Sequence, residues 1–263
     1  VIVVALIGVW IVAGIRRQRR PEGKRSDCAT GVVLQPSTGA SRPQCGSRGR
    51  PTVAFADVGY SVELQHAGTD VASPTPGTRR VLQRVSGLVQ PGEMCAVMGP
   101  SGAGKSSLLD ILAGQDKIGL VDGRTCLIYP DGTSVEDAAC RRLVCRYVMQ
   151  DDRILSTETV EEALMFAAYM TLPNSVSKAE ISADLNRIVE QLALDRVRSS
   201  RVGSSDEGGL SGGERRRLAV GLELITRPAV LLADEPTSGL DSVSADIVMR
   251  ALSTAAKDGC AVI

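Results

Sequence analysis

Residues 94–106 constrain this chain more than any other stretch. A short apolar run from Met94 to Met98 leads straight into Gly99, Pro100, Ser101, Gly102, Ala103, Gly104, Lys105 and Ser106. Ser107 and a segment with Leu108, Leu109, Ile111 and Leu112 follow. The spacing reads as a buried strand, a glycine-rich loop, and a helix over 104–114 whose apolar face meets a sheet. In such a loop the glycines let backbone N–H groups turn toward one point, and the positive end of the helix aims at the same point. That point suits a phosphate. Lys105 can reach the terminal phosphates of a nucleotide, and the Ser106 hydroxyl suits Mg²⁺. Residues 99–107 are therefore the first candidate binding set, although the motif alone says no more than nucleotide.

Two later stretches narrow it. Val230, Leu231, Leu232 and Ala233 read as a buried strand, and Asp234 and Glu235 stand at its end. An aspartate there can hold Mg²⁺ through water, and the next carboxylate can polarise an attacking water. A strand ending in a solvated acidic turn is common by itself, but here the phosphate loop stands upstream and Pro236-Thr-Ser-Gly-Leu-Asp241 follows directly. The third stretch is Leu210-Ser211-Gly212-Gly213-Glu214, preceded by Glu207-Gly208 and opening a helix over 212–226. Ser211 and the two glycines offer exposed donors at a helix start, a second anion site; the plainer reading is a Gly/Ser helix cap.

Composition fixes the class. The chain has 263 residues, 43% of them hydrophobic but only 3% aromatic, so Val, Leu, Ile and Ala must fill the core. The formal charge is zero, but residues 16–50 carry nine Lys/Arg against two Asp/Glu, which leaves the remainder acidic. That split argues against a nucleic-acid-binding face and for a basic linker beside an ordinary domain. Seven cysteines form no Cys-x-x-Cys pair, and His66 is the sole histidine, so scattered thiols are expected rather than a structural metal site.

Along the chain, residues 1–15 are apolar and end in Arg16, Arg17, Arg19 and Arg20. They read as a membrane-spanning helix with the basic side, and everything after it, in the cytoplasm. At about 22 Å the run is short of a bilayer core of about 30 Å, which a start partway into the segment would explain. The chain opens at Val1 and stops at Ile263 inside an expected strand, so a longer protein is expected. Residues 16–50 read as a disordered linker able to lie on anionic membrane lipids. From Thr52, alternation through Val53, Phe55, Val58, Tyr60, Val62 and Leu64 gives a strand with one break at Asp57. After a Gly/Pro/Thr stretch at 67–78, Val81–Val89 completes an antiparallel hairpin, and Pro91-Gly92 makes a turn. Residues 151–210 read mostly as helical, with helices at 159–170 and from Ser177, where Glu180 forms a capping box. A strand at 229–233, a helix at 241–257 and a final strand near Cys260 complete the pattern. The fold class is α/β, a mixed β-core with an antiparallel β-subdomain and a helical subdomain.

Taken together, these motifs resemble the ATP-binding cassette of ABC transporters, over residues 51–263. Tyr147-Val-Met-Gln150-Asp151-Asp152 resembles the family's Q-loop. The run Gly212-Gly-Glu-Arg-Arg-Arg-Leu218 through Ile225, with Gln150-Asp-Asp and Thr159-Val-Glu-Glu, resembles the G subfamily of White or pigment-permease type. That subfamily carries Glu at the fifth signature position, as Glu214 does here. The resemblance implies a P-loop ATPase fold, ATP and Mg²⁺ as cofactors, and hydrolysis with Glu235 as general base, Gln150 sensing Mg²⁺ and water, and Lys105 on the phosphates. Ser106, Gln150 and Asp234 would surround Mg²⁺. Ser211, Gly212, Gly213 and Asp241 would contact nucleotide across a head-to-tail dimer, and Tyr60 would stack on adenine, though a half-buried strand residue is an equal reading of Tyr60. It implies a half-transporter that exports substrate, with a second half-transporter, its own membrane domain and membrane lipids as partners and no nucleic acid. The switch histidine of the family would follow Ile263, and His66 is too early to replace it. The competing class, a soluble ABC ATPase acting on nucleic acid or ribosomes, lacks an explanation for residues 1–20.

Overall fold

The computed structural model describes residues 2–6, 9–13, 49–63, 78–150, 154–203 and 209–263. Most of the basic stretch, His66, the turn at 67–77, Asp151, Asp152 and Glu207-Gly208 lie outside the described residues.

The antiparallel sheet is built on β3 (Thr52–Glu63), which pairs with β4 (Thr78–Val89) on one side and β6 (Leu120–Ile128) on the other, with β7 (Ser134–Val135) beyond β6. The period break seen in the sequence at Asp57 is a bulge. Asp57 has φ +51°, and the pairing with β4 shifts between Phe55 and Val58. The extra residue restores register, so Val53, Phe55, Val58 and Tyr60 all bury. The β6 strand, which sequence patterning did not single out, is exposed at its start and buries only from Thr125 to Leu127.

The parallel sheet has the order β10 (Ala261–Val262), β9 (Val230–Ala233), β8 (Cys145–Val148). The short strand β5 (Cys95–Met98) meets it through a parallel bridge between Met94 and Val262. Around the strands lie α1 (Lys105–Ala113), α2 (Ala138–Val144), α3 (Val160–Thr171), α4 (Lys178–Gln191), α5 (Gly212–Leu224) and α6 (Ser242–Lys257). Two cores result. One gathers the antiparallel sheet and α1; the other gathers α3, α4, α5 and α6. Strand β9 serves both, sending Val230 and Leu232 into the first and Leu231 into the second. That double burial is why its sequence is continuously apolar rather than alternating.

Residues 2–6 and 9–13 are extended. In place of a membrane helix, β1 (Ile2–Leu6) and β2 (Val9–Ala13) pair antiparallel, and β2 runs antiparallel to β5 with Trp10 opposite Met98 and Ala13 opposite Cys95. The run is rich in Val and Ile, whose branched side chains favour strands, and the edge of β5 offers it a ladder of hydrogen bonds. No helix among the described residues is long and apolar enough to cross a membrane.

Candidate functional site

The parallel arrangement brings the carboxyl ends of β5, β9 and β8 side by side, and each end carries one of the motifs. After β5 the chain turns through Gly102 and Gly104, at φ +76° and +94°, into α1. Gly102 faces open space, so only its backbone requires glycine. At Gly104 a Cβ would also meet Leu82 Cδ2 at 2.7 Å, because β4 packs against the loop. Lys105 Nζ donates to the Gly99 and Pro100 carbonyls at 3.0 and 3.1 Å, so its ammonium is held over the loop. Ser106 is exposed at the first turn of α1.

At the tip of β9, Asp234 is 7% exposed and its N–H donates to Val148 O at 3.0 Å, which fixes it to the end of β8. Glu235 is exposed and holds φ +47°, a left-handed conformation rare for a residue with a side chain. Lys105, Asp234 and Glu235 line one cavity of about 220 Å³ together with Pro236 and Thr237. A second cavity of about 290 Å³ holds Gln150, Tyr147, Asp110 and Lys117, and Asp234 lines this one too. Tyr147 was visible in the sequence only as part of the Q-loop stretch. Burial first, then the nearby charges of the Asp110 and Asp234 carboxylates, push its hydroxyl far up, so it stays protonated. Asp110 in turn forms an ion pair with Lys117.

The signature segment is organised by a capping box. Ser211 is the N-cap of α5; its N–H and Oγ–H donate to Glu214 Oε2 at 2.9 and 2.7 Å, and Glu214 N–H donates back to Ser211 Oγ. The Ser211 hydroxyl is the main reason the Glu214 carboxyl titrates below its ordinary range. Gly212 and Gly213 have no left-handed φ; a Cβ on Gly212 would meet nothing within 4 Å, and one on Gly213 nothing closer than 3.5 Å. Ser211, Gly212 and Gly213 line neither of the two cavities above. Asp241 caps α6, accepting from Val243 and Ser244 N–H at 2.9 and 3.0 Å.

Tyr60 is corrected. It is 6% exposed, packs in the core of the antiparallel sheet, and donates its hydroxyl to Ile118 O at 2.7 Å. A ring enclosed on this scale has no face left for a base to stack on. Arg216 is the residue that sequence reading passed over. It is 4% exposed on α5, and its guanidinium donates to main-chain carbonyls of both neighbouring motifs. Its partners include Met149, Gln150 (3.2 Å), Asp234 (2.9 Å), Glu235 (3.0 Å) and Pro236 (3.3 Å). The available signal was its place four residues before Val220 and eight before Leu224, in the inward row of α5.

A metal is tested by donor chemistry. Ser106, Gln150 and Asp234 offer hard oxygen donors, the kind Mg²⁺ takes beside nucleotide phosphates. Among the described residues no group of three or more His, Cys, Asp or Glu could hold a metal alone. These donors fit a magnesium ion accompanied by a bound nucleotide.

Comparisons with known proteins agree with this geometry. The chain is 40% identical over 212 residues to ABC transporter G family member 17 of Arabidopsis thaliana, covering 80% of this chain and 31% of that protein. It is 39% identical over 223 residues to ABC transporter G family member 22 of Dictyostelium discoideum, covering 83% and 34%. The chain thus spans about a third of the length of the curated relatives it matches. A solved structure described as an ATP binding subunit of an ABC transporter superposes with a TM-score of 0.57 at 21% identity, over 80% of this chain and 77% of that one, which speaks for the fold. The family model described as ABC transporter matches residues 82–238, and the chain belongs to the ABC transporter family.

Proposed function

We propose that this chain is the ATP-binding and ATP-hydrolysing part of a membrane exporter of G-family type. The observation that carries the reading is the cavity shared by Lys105, Asp234 and Glu235 at the ends of β5 and β9. Lys105 and the N–H groups of residues 99–107 bind the phosphates. Mg²⁺, when bound with the nucleotide among Ser106, Asp234 and Gln150, supplies positive charge to the phosphate oxygens. The Glu235 carboxylate takes the proton of the water that attacks the terminal phosphate, and Gln150 orients that water.

Two surface features support assembly into a larger machine. Among the described residues nothing requires glycine at 212 and 213, where a Cβ would meet nothing closer than 3.5 Å. Close approach by a second cassette and its nucleotide gives them a reason. Helix α3 buries Val160, Ala163, Leu164 and Ala168 but leaves Phe166, Tyr169 and Met170 exposed on the other side, with Met149 exposed next to Gln150. Exposed apolar side chains of this kind are where a membrane domain would seat.

The test uses the full-length protein in membranes. Glu235→Gln keeps ATP binding while hydrolysis falls on the order of 10²–10⁴-fold, since the amide cannot accept the proton. Lys105→Ala weakens binding itself. Unchanged phosphate release by Glu235→Gln would sink the assignment.

A further inference from the structure

Arg216 places a full charge in the interior of the protein, on a helix that otherwise contributes Leu218, Val220 and Leu224 to the core. A guanidinium has five N–H donors on three nitrogens in a fixed fork. Here the fork is spread over two backbone segments. NH1 donates to Met149 and Gln150, the end of β8 and the start of the Q-loop. NH2 and Nε donate to Asp234, Glu235 and Pro236, the turn after β9. Three consecutive carbonyls are therefore pinned around Glu235, the non-glycine residue of that turn whose φ is left-handed. A left-handed non-glycine conformation persists only where its surroundings over-determine it, and this clamp supplies the determination.

Resting on the hydrolytic reading above, we infer that Arg216 is a positioning residue: it holds the Gln150 and Glu235 backbones in one fixed relation, so that the orienting amide and the proton-accepting carboxylate address the same water. Arg216 reaches both segments at main-chain carbonyls, so each side chain is aimed through its own backbone. Because the clamp starts from α5, the helix that begins at Ser211, any displacement of that helix start moves both segments together.

The experiment uses the full-length protein in membranes, with ATP turnover and ATP binding measured separately. Arg216→Lys keeps the buried cation but gathers three donors on one nitrogen, which cannot span both segments. Its kcat falls about tenfold or more, while KM for ATP stays within about twofold, because the phosphate loop is untouched. Added to Glu235→Gln, the same substitution changes the residual turnover by less than about twofold, since the carboxylate it aims is gone. An equal factor in both backgrounds, or a loss confined to KM, means that Arg216 is merely structural and overturns the inference. Wild-type turnover in Arg216→Lys overturns it as well. Arg216→Gln, which offers two donors, is measured in parallel and falls further than Arg216→Lys; failure of both variants to accumulate as folded protein assigns Arg216 to folding alone and is equally fatal. The underlying reading fails separately, and visibly, if Glu235→Gln by itself retains turnover.

Discussion

Glu235 illustrates what the site demands of a single residue. Its φ of +47° costs on the order of 1–3 kcal/mol relative to a relaxed backbone. Asparagine tolerates that region better than glutamine, so Glu235→Asn should melt at a higher temperature than Glu235→Gln while both bind ATP and neither turns it over. Calorimetry on the two variants checks the order. Leu231, fully buried in the second core, gives the opposite case. Leu231→Ala should lower stability by about 2–5 kcal/mol through the cavity it leaves, with no contact to the site lost. The thiols make a third residue-scale case. Burial, with a smaller contribution from the Glu93 charge, pushes Cys95 up to about 11, and burial pushes Cys260 up to about 12. Both should resist alkylation at neutral pH until the protein is unfolded, a difference that mass spectrometry of native and denatured samples reads directly.

At the scale of elements, three helices begin with the same device. Thr159 with Glu162, Ser177 with Glu180, and Ser211 with Glu214 each close a capping box. In the first two the backbone hydrogen bond to the cap residue is the largest cause of a lowered carboxyl pKa; in the third it is the Ser211 hydroxyl. A carboxyl lowered from 4.5 in the folded state stabilises the fold at pH values above 4.5, and that contribution fades as pH falls through the folded value. The melting temperature should therefore drop on acidification below about pH 4.5, and less steeply in Glu180→Gln, whose amide still accepts from Ser177 but no longer titrates. The box at Ser177 was legible in the sequence because all its information lies within four residues. So were α1, β9 and the phosphate loop, whose periods and glycines are local. Arg216 was not, because its partners lie some 20 and 66 positions away and composition gives no hint of them. Tyr60 failed for a related reason: alternation marked it as inward-facing, but only the bulge at Asp57 decides how deep it goes. Residues 2–6 and 9–13 stand as strands where the sequence suggests a helix, because an apolar run of that length satisfies either a helix or a hairpin and the partner edge on β5 is distant in sequence.

For the whole molecule, the glycines at 212 and 213 bear on the proposed assembly, because the described residues leave room for a Cβ at both. Gly212→Gln should leave melting temperature and ATP binding of the full-length protein unchanged, since there is space for the side chain, yet abolish most turnover by keeping a second cassette away. Unaltered hydrolysis by that variant would show that the signature face is not a docking surface. The shared strand β9 carries a different consequence, one of dynamics. Its amides are locked between two parallel neighbours, β8 and β10, and its side chains between two cores. Hydrogen exchange at Leu231, Leu232 and Ala233 should therefore require global unfolding rather than local opening. If so, the turn carrying Asp234 and Glu235 hangs from the slowest-exchanging point in the protein. Cyclic motion during turnover then has to be taken up elsewhere, by the helices that move around a strand that stays still.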